Sequence, residues 1–99
     1  MRFVQIVEYA TSRPDEMRAL GEEFAASREG DAEASRVVIY KDRDATDRYL
    51  AIAEFPSYDA AMANSSAPAT QEFAARMMAL ADGPPIFRNL DEHYVASGG

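Results

Sequence analysis

The chain contains no cysteine, and one histidine among its 99 residues. Without cysteine there is no disulfide, no thiolate-bound zinc, no iron–sulfur cluster and no thiol nucleophile. One histidine does not build a histidine metal cage within one chain. Basic residues are scarce too: 10 Lys and Arg stand against 17 Asp and Glu, a formal net charge of −7. Such a field repels phosphate backbones, so nucleic acid is not an expected partner. Long apolar runs are also missing. The stretch from Met1 to Ala10 is broken by Arg2, Gln5 and Glu8 and is followed by no small-residue cleavage site, so neither a signal peptide nor a membrane span is expected. What is present is globular: 47% hydrophobic and 27% charged residues, enough for one modest core. The expectation is a single cytoplasmic domain over residues 1–95 with a frayed tail over residues 96–99, free of metal and cofactor.

The run from Arg2 to Tyr9 is rich in β-branched and aromatic residues and reads as a first strand. Ser12-Arg13-Pro14-Asp15 supplies a capping hydroxyl, a proline suited to a first turn, and acid at the positive end of a helix dipole. Met17, Leu20 and Phe24 then recur at helical spacing, predicting an amphipathic helix that closes near Gly30. Val37 to Tyr40 and Tyr49 to Ala53 read as a hairpin around the polar loop Asp42 to Asp47. A second N-cap lies in Pro56-Ser57-Tyr58-Asp59. The following stretch, Ala60 to Asp82, is helical in composition but interrupted at Asn64-Ser65-Ser66-Ala67-Pro68, which predicts a kinked or two-piece helix. Phe73, Met77 and Leu80 mark the apolar stripe of its second half, and Gly83-Pro84-Pro85 ends it. Ile86 to Val95 reads as a last, edge-like strand.

The order β-α-β-β-α-β predicts a ferredoxin-like α+β fold: a four-stranded antiparallel sheet with both helical segments on one face. With the hairpin loop centred on Asp44 and Ala45, Val37, Ile39, Leu50 and Ile52 share one sheet face. Val38, Tyr40, Tyr49, Ala51, Ala53 and Phe55 share the other. Both faces are then apolar, whereas the helices cover one. A second copy of the chain is the expected cover, packing sheet against sheet about a twofold axis as a homodimeric α/β barrel.

The strand beginning at Met1 with Gln5 inside it, the hairpin, and the phrase Ala53-Glu54-Phe55-Pro56-Ser57-Tyr58-Asp59-Ala60-Ala61 entering an interrupted helix resemble the dimeric α/β-barrel superfamily, in its antibiotic-biosynthesis-monooxygenase branch. The resemblance spans nearly the whole chain. It implies a pocket in each subunit between sheet and helices, lined by the first strand, the end of the third and the helix interruption. It also implies a choice among cofactor-independent oxygenation of aromatic polyketides, polyketide cyclisation and haem degradation. A non-catalytic ligand-binding or assembly domain is the alternative, because a fold does not choose a reaction.

The candidate residues follow. Gln5 lies where oxygenase and haem-degrading relatives place a polar group on the first strand, among Phe3, Val7 and Tyr9; an amide there needs a partner, a ligand oxygen or a neighbouring side chain. Asn64 lies at the helix interruption, which frees polar groups toward a pocket or simply restarts the helix at Pro68. The haem-degrading relatives carry an iron-binding His about two turns beyond that break, where this chain has Thr70-Gln71-Glu72, which weighs against haem. His93, beside Asp91 and Glu92, is a candidate general base or an exposed terminal residue. Arg88 is a candidate partner for a substrate carboxylate or enolate, or for Asp91 or a carboxylate of the second copy. Tyr9, Tyr40 and Tyr49 are expected on the helix-facing side, with Tyr49 a candidate catalytic phenol. Ala51 and Ala53 leave volume that β-branched residues would fill. With Val7, Phe55, Phe73 and Met77 they outline a site for an apolar or aromatic small molecule.

Overall fold

The computed structural model describes residues 2–27 and 36–97. Its elements run β1 (Phe3–Ala10), α1 (Pro14–Ser27), β2 (Arg36–Lys41), β3 (Arg48–Phe55), α2 (Tyr58–Ser66), α3 (Pro68–Leu80) and β4 (Ile86–Asp91). The sheet order is β2-β3-β1-β4 with every pairing antiparallel, which is the ferredoxin-like α+β topology. The apolar strands β1 and β3 occupy the centre, and β4 is an edge as expected. No described helix is long and apolar enough to cross a membrane.

The helices start and stop for local reasons. Pro14 opens α1, where its missing N–H removes no helical bond, and Asp15 and Glu16 complement the dipole. Met17 and Leu20 are its buried residues. The expected end near Gly30 lies outside the described residues. Ser57 caps α2, its Oγ accepting from the Ala60 N–H at 3.1 Å. The break between α2 and α3 is the work of Pro68. A continuous helix would need an N–H at position 68 to reach the Asn64 carbonyl, and proline has none. That carbonyl instead accepts from the Ala67 N–H at 3.2 Å, and Ala67 turns extended with ψ 136°, as a residue before proline prefers.

Three expectations are corrected. Ser12 does not cap α1: its hydroxyl bonds the Asp82 carboxylate at 3.3 Å. The last strand stops at Asp91, not Val95, because β1 begins at Phe3 and offers no strand residue beyond that register. The hairpin closes on the bond from the Asp42 N–H to the Arg48 carbonyl at 2.9 Å, so that Lys41 opposes Tyr49 and Val37 opposes Ala53. Asp47 adopts the left-handed region at φ 59°, and the loop from Arg43 to Asp47 is centred on Ala45 alone. That one-residue difference moves β2 to the other parity relative to β3. Val37 and Ile39 therefore share a face with Ala51 and Ala53, while Val38 and Tyr40 share the opposite face with Leu50 and Ile52.

One buried polar side chain fastens the top of the sheet. Thr11, 1% exposed, donates through Oγ1 to the Leu80 carbonyl at 2.8 Å and accepts there from the Arg13 N–H at 3.0 Å. Its own N–H reaches the Asp47 carbonyl at 2.9 Å. The end of β1, the start of α1, the hairpin loop and the end of α3 thus meet at one residue. Thr11→Val keeps the volume and strands both side-chain partners, so it should destabilise the protein by about 2 kcal/mol in urea unfolding, whereas Thr11→Ser, which keeps the hydroxyl, should recover most of that loss.

Candidate functional site

The register assigns each sheet residue to a side. Facing the helices are Phe3, Gln5, Val7 and Tyr9 of β1, opposite Phe55, Ala53, Ala51 and Tyr49 of β3. On β4, Asn89 lies beside Gln5 and Phe87 beside Val7. The apolar groups on this side do not merge into one core. Tyr9, Met17, Leu20 and Met77 form one cluster, against which Val7, Tyr49, Ala51 and Phe73 pack. Phe3, Phe55 and Ala61 form the other, joined by Ala53 and Met62. Along β1 the residue between the clusters is Gln5. The upper cluster draws on α3 and the lower on α2, so the α2–α3 break belongs to the same seam.

Gln5 is half-buried, and its Nε2 donates to Oδ1 of exposed Asn89 at 3.2 Å. The neighbouring-side-chain partner weighed for Gln5 is thus Asn89, a residue that sequence reasoning passed over. Alternation alone places it: Asn89 and Phe87 share one side of β4, Arg88 the other. Asn64 is half-buried and follows the buried Ala60 and Ala61 by four and three residues, on the inward side of α2.

Tyr9 and Tyr49 stack at 5.7 Å between ring centroids with 17° between planes. Burial, and secondarily the neighbouring Tyr49, pushes the Tyr9 phenol above its ordinary value of 10.0. At neutral pH it remains a protonated hydrogen-bond donor. Phe73 stacks on Phe24 of α1 at 4.6 Å, and Tyr58 meets Phe3 edge-on at 5.4 Å.

Of the expected site residues, the structure brings together Val7, Tyr9, Tyr49, Ala51, Phe73 and Met77 in one cluster and Ala53 with Phe55 in the other. Three stand elsewhere. Tyr40 opposes Leu50 on the sheet face away from the helices, because of the hairpin parity. Arg88 opposes Ile6 on that same face and pairs with Glu8 at 3.8 Å, not with Asp91. His93 lies beyond the end of β4 in exposed chain, its ring edge-on to Tyr94 at 5.4 Å. Two open concavities of the described surface lie away from Gln5. One of about 460 Å³ lies in the hairpin between Lys41 and Asp47, and one of about 430 Å³ between α1 and α3 beside the Glu23–Arg76 ion pair.

No family model matches the chain, and no curated protein matches it. Solved structures do. A variant of SnoaB, a cofactor-independent oxygenase from Streptomyces nogalater, is 18% identical with a TM-score of 0.82 over 96% of both chains. Rv0793 from Mycobacterium tuberculosis is 19% identical, with a TM-score of 0.77 over 98% of this chain and 100% of that one. A Caulobacter crescentus protein proposed to be an antibiotic biosynthesis monooxygenase is 14% identical, with a TM-score of 0.79 over 91% and 88%. At these identities the likeness establishes the fold, which is the ferredoxin-like fold of antibiotic-biosynthesis-monooxygenase-like structures, as the sequence resemblance implied.

The buried phenol has a measurable consequence. The unfolded chain loses the Tyr9 proton near 10.0 while the folded chain holds it, so stability present below that pH is lost as pH rises through it. In an alkaline titration of tyrosinate absorbance, one of the five tyrosines should ionise after the rest, and Tyr9→Phe should remove that late step. The same substitution should flatten the fall of melting temperature above pH 10.0.

Proposed function

We propose that the chain is a homodimeric small-molecule protein that oxygenates or cyclises an aromatic, polyketide-like substrate without a cofactor. The observation that carries this reading is Gln5, a half-buried amide on a central strand between two apolar clusters, bonded to exposed Asn89 on the edge strand. An aromatic substrate with a C–H acidified by a conjugated carbonyl, as in an anthrone, loses that proton to water and forms a stabilised carbanion, and that carbanion supplies the electrons for dioxygen or the nucleophile for ring closure. The protein then has to bind, orient and hold an enolate. Protonated Tyr9 is suited to donate to the enolate oxygen, and Gln5 and Asn64 to hold neighbouring oxygens. Small Ala51 and Ala53 leave room beneath a flat ring.

The homodimer rests on the other sheet face. Val4, Ile6, Val38, Leu50, Ile52, Ile86 and Leu90 lie on it with Tyr40, and none belongs to either core cluster. Tyr40 is 52% exposed, Ile86 and Leu90 each 45%. The acids on this face are already neighboured by arginines: Glu8 by Arg48 and Arg88, Glu54 by Arg2 and Arg36. A facing copy would therefore meet apolar surface edged with compensated charge, which suits an isologous contact.

Two measurements test the reading. Sedimentation at micromolar concentration should give a dimer, and Ile52→Glu a folded monomer; a monomeric wild type removes the dimer. Oxygen uptake with an anthrone should proceed without added metal or flavin, and Gln5→Ala should lower kcat about tenfold or more with little change in melting temperature. Anthrone that binds without turnover would favour the non-catalytic ligand-binding reading instead.

A further inference from the structure

The apolar stripe of α3 has one polar member. Phe73, Met77 and Leu80 face the upper cluster, and Thr70, three residues before Phe73, falls on the same side of the helix. Its Oγ1 is shielded from solvent and has no hydrogen-bond partner. Burying a hydroxyl unpaired costs stability, and valine would fill the same volume at no such cost. Packing therefore does not account for threonine here.

A threonine inside a helix ordinarily satisfies its hydroxyl on a carbonyl one turn back. At position 70 that turn is where the helix is broken. The Ala67 carbonyl already accepts from the Thr70 and Gln71 N–H groups at 3.0 and 3.1 Å, and Ala67 itself is extended. The hydroxyl is thus left shielded and unpaired in the first turn of α3, directly after the break and on the helix side that carries Phe73 and Met77.

We infer that Thr70 is a specificity-determining residue. Its hydroxyl hydrogen-bonds an oxygen substituent, a phenol or enol, of an aromatic molecule seated over Gln5, and so selects hydroxylated rings over bare ones. The inference rests on the ligand-binding seam proposed above, and its test separates the two.

The probes are 1-naphthol and its deoxy counterpart naphthalene, titrated by fluorescence into wild type, Thr70→Val and Thr70→Ser, with a thermal melt of each unliganded protein. Wild type should bind 1-naphthol about tenfold tighter than naphthalene. Thr70→Val should abolish that preference, leave naphthalene binding as it was, and melt at the same or a higher temperature, because it removes an unpaired hydroxyl. Thr70→Ser should restore the preference. If Thr70→Val binds 1-naphthol with the preference intact, the assignment of Thr70 is overturned while the seam stands. If neither aromatic binds wild type, the seam itself is lost and the assignment with it.

Discussion

Everything in this molecule follows from a sheet that is apolar on both sides and helices that can cover one. β1 and β3 alternate strictly, yet both parities carry large hydrophobic side chains: Phe3, Val7 and Tyr9 on one side, Val4 and Ile6 on the other, matched across the pair by Phe55 and Tyr49 and by Leu50 and Ile52. A strand of this kind has no polar side to give to water. Burying one such side chain fully gains about 1.5–3 kcal/mol. Several of them on one flat face would exceed the lower estimates of association entropy, about 4 kcal/mol. The surplus of apolar surface is thus an energetic argument for a second copy, and the arginines around Glu8 and Glu54 reduce the charge that would oppose it.

The sheet also explains why Thr11 matters. Once β1 is central, its end has to hand the chain to α1 while staying fixed to the hairpin and to the end of α3, and a buried backbone there needs partners. Thr11 supplies two through its hydroxyl and one through its N–H. The bond from the Asp82 N–H to the Ala10 carbonyl at 2.7 Å closes the same corner. None of this is visible as a pattern in the sequence. A threonine between a strand and a helix reads as a turn residue, and Ser12 beside it looks the better cap.

Element order and type were legible because periodicity reports them: the alternation in β1, the Met17-Leu20-Phe24 stripe, and the proline that splits α2 from α3. Parity across the hairpin was not. Whether the loop has an odd or even number of residues hinges on Asp47 taking a left-handed conformation, which its neighbours do not announce. With parity went the side on which Tyr40 sits. Arg88 was misread for a related reason: on a strand with polar and apolar residues mixed, only the register against β1 says that it shares a face with Ile6 and Glu8. Thr70 was noticed for what it replaces in relatives, whereas its unpaired hydroxyl appears only once the helix break has taken the usual acceptor away.

The same proline that splits the helix gives the candidate site its character. A continuous helix from Tyr58 to Leu80 would satisfy its own carbonyls and present one unbroken apolar stripe, and the two clusters beneath it could then merge. With Pro68 in place the segments belong to different clusters, and on β1 the residue between those clusters is Gln5. Gln5 is a poorer choice for stability than valine or isoleucine on a central strand. A half-buried amide on a central strand between two apolar clusters is what the proposed occupant would explain.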